Sequence, residues 1–87
     1  MLARKDAALA KQFRDALSSV ALNVAEGSDQ RGARRISHYS IALGSARESF
    51  VALRAAQAWG HIGAIPPHVT DKFDKVIGTM TNLVKRR

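Results

Sequence analysis

The sequence predicts an all-α fold: an antiparallel helical bundle with three helices, in a single domain spanning residues 1–87. Three observations predict it. Apolar residues recur at steps of three and four along three long stretches, which is the spacing of one helix face. Glycine and proline gather between those stretches, around residues 27–32 and 60–67. No segment shows the two-residue alternation of a half-buried strand, and there is no internal repeat or low-complexity run.

The first helix is expected over about residues 3–26. Leu9, Phe13, Leu17, Val20 and Val24 form its apolar stripe, while Lys5, Lys11, Gln12, Arg14 and Asp15 fall largely outside it. Gly27 is expected to stop the helix by entering the left-handed conformation, which glycine adopts without a Cβ penalty. The polar run that follows is short, as suits a connection between antiparallel neighbours.

The second helix is expected over about residues 33–60. Ile36, Tyr39, Leu43, Ala46, Phe50 and Leu53 keep a three-four spacing. Beside them runs a second stripe, Ala42, Ser45, Ser49, Ala52, Ala56 and Trp59, made almost wholly of small residues. Small side chains allow close approach, so this helix should contact neighbours on two sides, from a central position or at a subunit interface. Gly44 in mid-helix costs about 1 kcal/mol relative to alanine, and close backbone approach is its expected compensation.

Gly60 and Gly63 end that helix, and Pro66-Pro67 turns the chain into a third helix over about residues 67–86. Asp71 lies near the start of this helix, where its dipole favours negative charge. Val69, Phe73, Val76, Met80 and Leu83 form the last stripe, and Lys85-Arg86-Arg87 place positive charge at the helix end. Folding the first connection about residue 30 sets Glu26 against Arg34, Ala16 against Gly44 and Gln12 against Glu48. Folding the second brings Phe50 near Ile77 and Leu43 near Val84. Arg31, Arg34 and Arg35 then share one pole with Lys85, Arg86 and Arg87.

Composition narrows the function classes. The chain has 14 Lys and Arg against 7 Asp and Glu, a formal charge of +7, with an isoelectric point near 10.9. Such an excess points to a polyanion, nucleic acid first and then an acidic protein surface or an anionic membrane, or it serves solubility alone. Apolar residues make up 46% of the sequence, too many for a disordered segment. With no cysteine, neither disulfides nor thiolate metal sites are available; a cytoplasmic location fits best. The start lacks the apolar stretch of a signal peptide, and no uncharged run is long and regular enough to cross a bilayer.

At Asn23-Val-Ala-Glu-Gly27, with Arg31, then Ile41-Ala-Leu-Gly-Ser45 and Glu48, the sequence resembles the four-helix-bundle family of 23S rRNA intervening-sequence proteins. Trp59-Gly-His-Ile62 is similar to that family's aromatic-glycine helix ending, and the resemblance runs from Asp6 to the carboxyl terminus. It implies a bundle that assembles as a homo-oligomer, often a pentamer. It also implies kinship with the basic accessory variability proteins of diversity-generating retroelements, which work with a reverse transcriptase and nucleic acid. Family members usually begin with a further helix, which this chain lacks. That helix is either missing through truncation or supplied by another chain, and an apolar face of the first or second helix is expected to stay uncovered.

Asn23, Glu26, Ser45 and Glu48 are the polar residues of these motifs. They either form a small carboxylate-containing pocket or, as buried polar groups usually do, join helices through hydrogen bonds and a Glu26–Arg34 ion pair. No catalytic site is expected: Glu26 and Glu48 lie at different heights, with no nucleophile, histidine base or phosphate loop beside them. No cofactor or metal is expected either, since His38, His61 and His68 share no ligand spacing. His38 instead continues the Arg31, Arg34, Arg35 face at helical spacing, and Tyr39 beside it is read as core. Binding of RNA or DNA phosphate through Arg31, Arg34, Arg35, His38, Lys85, Arg86 and Arg87 is the leading reading. A structural or protein-interaction scaffold without nucleic acid is the alternative.

Overall fold

The computed structural model describes the backbone of residues 2–85 and the side chains of residues 7–85. Three helices follow one another: α1 (Leu2–Ser28), α2 (Ala33–Ala58) and α3 (Pro67–Lys85). The described residues contain no strand. The all-α helical bundle is therefore as expected, with helix ends within two residues of the expected ones. Arg86 and Arg87 lie outside the described residues.

Helix α2 occupies the centre, and α1 and α3 each pack against it. No Cα of α1 lies within 8 Å of a Cα of α3. The result is a shallow layer measuring 45 × 24 × 14 Å, little thicker than one helix with its side chains.

The closest packing joins α1 to α2 and is built from small residues. Ala16, Ala42, Ala46, Ser49 and Ala52 are buried, and only Met80 adds a large side chain to that set. On α1 the facing positions are Ala16, Ser19, Asn23 and Gly27, again at steps of three and four. The small stripe of α2 thus serves a contact inside the chain. The larger residues are pinned mainly by Phe73 of α3, whose ring centroid lies 5.2 Å from Phe50 and 6.4 Å from Phe13.

Gly60 ends α2 as expected, but Gly27 and Gly44 do not play the roles expected of them. Gly27 is buried inside α1 and has no positive φ; a Cβ there would lie 2.6 Å from Cε1 of Tyr39 and 3.2 Å from Cβ of His38. Its role is close approach, not helix termination, and Tyr39 packs over it. Gly44 is exposed, with nothing within 4 Å of its would-be Cβ, so the close approach expected there is absent. Two glycines do need positive φ: Gly32 before α2 (φ 59) and Gly60 after it (φ 77). At Gly60 the amide of His61 donates to the Ala56 carbonyl at 2.9 Å and that of Gly60 to Gln57 at 3.1 Å, the paired bonds of a Schellman stop.

The second connection, residues 59–66, sets the register of α3. The ring of Phe50 meets that of Phe73, one turn before the expected partner Ile77, and the irregular segment between the Schellman stop and Pro67 sets this register. The Pro66 carbonyl accepts from Val69 and Thr70, which places Pro67 in the first turn as expected. Asp71 falls just beyond that turn, which contains no acidic residue.

Candidate functional site

The first connection builds the pole. Helix α1 ends with the Asp29 amide donating to Glu26 and that of Gln30 to Gly27, each at 3.1 Å. Arg31 and Gly32 follow, and Gly32 provides no side-chain cap to α2. The first backbone N–H groups of α2 therefore open toward the same end as Arg31 and Arg34, both exposed. Helix α3 returns antiparallel to α2. Lys85 lies twelve residues beyond Phe73 and His38 twelve before Phe50, about 18 Å in each case. Lys85 thus reaches the level of His38, and the same end of the molecule carries Arg31, Arg34, Arg35, His38 and Lys85.

These residues do not play one role. Arg35 turns back over α1: its Nε donates to the Gly27 carbonyl at 3.2 Å and its Nη2 to that of Ser28 at 3.3 Å. A guanidinium on the last carbonyls of α1 meets the negative end of that helix dipole, so Arg35 caps α1. Arg31 and Arg34 form no ion pair among the described residues, where the only one joins exposed Lys11 to Asp15 at 2.7 Å.

His38 faces inward as well as toward the pole. The Asn23 side-chain amide donates through Nδ2 to the Ser19 carbonyl at 2.9 Å, which fixes its orientation. Its Oδ1 then faces His38 Nδ1 at 3.0 Å, so Nδ1 carries the proton and donates. Ser19 Oγ in turn accepts from Ser45 Oγ at 2.7 Å, while Ser49 Oγ donates to the Ser45 carbonyl at 2.8 Å. A polar ladder, His38–Asn23–Ser19–Ser45, therefore runs between α1 and α2 and satisfies groups that packing has half buried.

Among the motif residues, Asn23 and Ser45 join α1 to α2 through hydrogen bonds. Glu26 and Glu48 are exposed and take no part; the expected Glu26–Arg34 ion pair is absent among the described residues. The reason is register: the observed partners Asn23–His38, Ser19–Ser45 and Gly27–Arg35 place Glu26 off the contact face. Sequence reasoning overlooked Ser19 and the α1 small stripe, although their spacing carried the signal. His61 stacks edge-on against Trp59, at 6.1 Å between centroids, and no group of three potential metal ligands occurs among the described residues.

A second feature lies away from the pole. Between α1 and α3 an apolar groove of about 340 Å³ is lined by Phe13, Leu17, Val20, Val69, Phe73 and Val76, with Ala46 as its floor. It continues past Val20 and Val76 toward Val24, Ala25 and Met80. No helix among the described residues is long and apolar enough to cross a membrane. No family model, curated protein or solved structure matches this chain.

Proposed function

We propose that this protein is a non-enzymatic helical-bundle accessory factor of the cytoplasm that binds the phosphate backbone of RNA or DNA through the pole at the first connection. The observation that carries the reading is the pairing of exposed, carboxylate-free Arg31 and Arg34 with the uncapped start of α2. Cationic forks and free backbone N–H groups at a positive dipole end converge on anions. Lys85 widens the pole, and Arg35 keeps further N–H donors beyond those it gives to α1. With a single tyrosine and a single tryptophan in the sequence, stacking contributes little, so charge and shape dominate.

The resemblance to 23S rRNA intervening-sequence proteins supports the same proposal and extends it to a homo-oligomer, a pentamer by analogy, working beside an enzyme such as a reverse transcriptase. Exposed Ile41 and Val51, aligned with Gly44 and Glu48 at steps of three and four on α2, offer a surface for such assembly. A protein-interaction scaffold is the second reading, favoured by the open groove.

A salt titration of binding to a structured RNA and a matched DNA duplex tests the first. Each contacted phosphate contributes about 0.9 to the slope of log affinity against log salt on duplex DNA, so Arg31→Ala with Arg34→Ala should flatten it by about 1.8. Arg35 is left intact so that stability is not confounded with binding. An unchanged slope removes the named site, and no binding even at low salt favours the scaffold.

A further inference from the structure

The accessible surface is too large for a chain of this size. A folded protein of 9.4 kDa exposes about 5,000 Å² by the general scaling of area with mass. This one exposes 6104 Å², roughly 1,100 Å² more. Its radius of gyration, 14.3 Å, likewise exceeds the about 12 Å expected of a compact domain of its length. A standard interface takes about 800 Å² from each partner, so the surplus is of the order that a docked element covers.

The groove between α1 and α3 has the shape for that element. Its walls run from Phe13 to Ala25 on α1 and from His68 to Met80 on α3, each about 18 Å, the length of a three-turn helix. Leu17 and Val76 remain 40% exposed in it. Its charged lining is all of one sign. Lys72 and Lys75 stand on the α3 wall. Arg14 continues the Ala21 and Ala25 edge of α1 at helical spacing, and no carboxylate lines either part.

We propose that this groove docks an amphipathic helix of a partner protein whose apolar stripe is flanked by Asp or Glu. The apolar stripe fills the space between Phe13, Leu17, Val20 and Val76, and the acidic flanks meet Lys72, Lys75 and Arg14. A second copy of this chain is the wrong occupant. The groove-facing stripes of α1 and α3 are edged by Arg14, Lys72 and Lys75, so two grooves mated together bring like charges into one seam without a counterion. The concave form also suits a rod better than a flat bilayer. This assignment is independent of the phosphate-binding pole, which lies on other residues.

The test uses two labelled 14-residue peptides sharing one leucine stripe, one flanked by Glu and the other by Lys, titrated with the full-length protein by fluorescence anisotropy. The Glu-flanked peptide should bind roughly tenfold tighter or more, three surface ion pairs replacing three repulsions. Lys72→Glu with Lys75→Glu, both exposed positions that leave the fold intact, should reverse the preference. Val76→Glu should abolish binding of either peptide while leaving the helical circular dichroism unchanged. Equal affinity for the two peptides, or indifference to the charge reversal, overturns the proposal. So does sedimentation that finds an oligomer which Val76→Glu converts to monomer, since the occupant is then a second copy.

Discussion

Gly27 and Gly44 invite the same substitution and should answer with opposite signs. Both are helical, and alanine at either gains helix propensity, at most about 1 kcal/mol. At Gly44 the new methyl group meets nothing within 4 Å, so the gain stands. Gly44→Ala is expected to stabilise the protein by about 0.5–1 kcal/mol and raise Tm by several degrees. At Gly27 the methyl group lands 2.6 Å from Cε1 and 2.8 Å from Cδ1 of Tyr39, where ordinary contact starts at 3.4 Å. The ring must withdraw by close to 1 Å, and overpacking of this kind costs about 1–3 kcal/mol. Gly27 is also next to last in α1, where propensity counts for less. The net expectation is a loss of about 1 kcal/mol, or a Tm about 4–8 °C lower for a domain of this size. Paired thermal melts followed by circular dichroism read both changes. A double-mutant cycle identifies the cause: in a Tyr39→Ala background, Gly27→Ala should become nearly neutral. A rise in Tm on Gly27→Ala alone refutes the close approach of Tyr39 to α1.

Two further substitutions test the polar contacts between α1 and α2. Asn23→Ala removes the acceptor of His38 and a donor to Ser19, and should cost about 1–2 kcal/mol in a urea melt with unchanged m. Glu26→Ala, which the expected pairing with Arg34 would make destabilising, should leave stability within about 0.5 kcal/mol, since this side chain is exposed and unpaired among the described residues.

The elements of the fold were legible because periodicity and punctuation agree. The three stripes, the glycine stop at Gly60 and the proline start at Pro67 each act locally, and local signals survive in a single sequence. Register was not legible. Whether Phe50 meets Phe73 or Ile77 depends on how residues 59–66 run, and no local preference fixes an irregular segment to one helical turn. The register across the first connection likewise carries Glu26 away from Arg34, and the close approach expected at Gly44 occurs at Gly27 instead. A glycine that permits a left-handed turn and one that admits an aromatic ring look alike until the partner helix is placed. At the candidate pole, charge clustering located the arginines, but it did not separate Arg35, which caps α1, from Arg31 and Arg34.

The groove follows from how α1 divides its two stripes. Ala16, Ser19, Asn23 and Gly27 face α2 and bring the two backbones close, while Phe13, Leu17, Val20 and Val24 lie on the adjoining face. Helix α3 meets those larger residues edgewise, through Phe73 and Val76, because its backbone packs on α2. The tightest contact therefore buries little apolar area per residue, and much of the chain's apolar side-chain area lines a surface left open. An occupant present at a hundred times its Kd adds about 2.7 kcal/mol to the stability of the state it binds. For a small three-helix layer that is a substantial share of the total, which is typically about 0.05–0.15 kcal/mol per residue. Docking in the groove and folding of the layer are consequently coupled: the Glu-flanked peptide should raise Tm as well as bind, and Val76→Glu should remove both effects together.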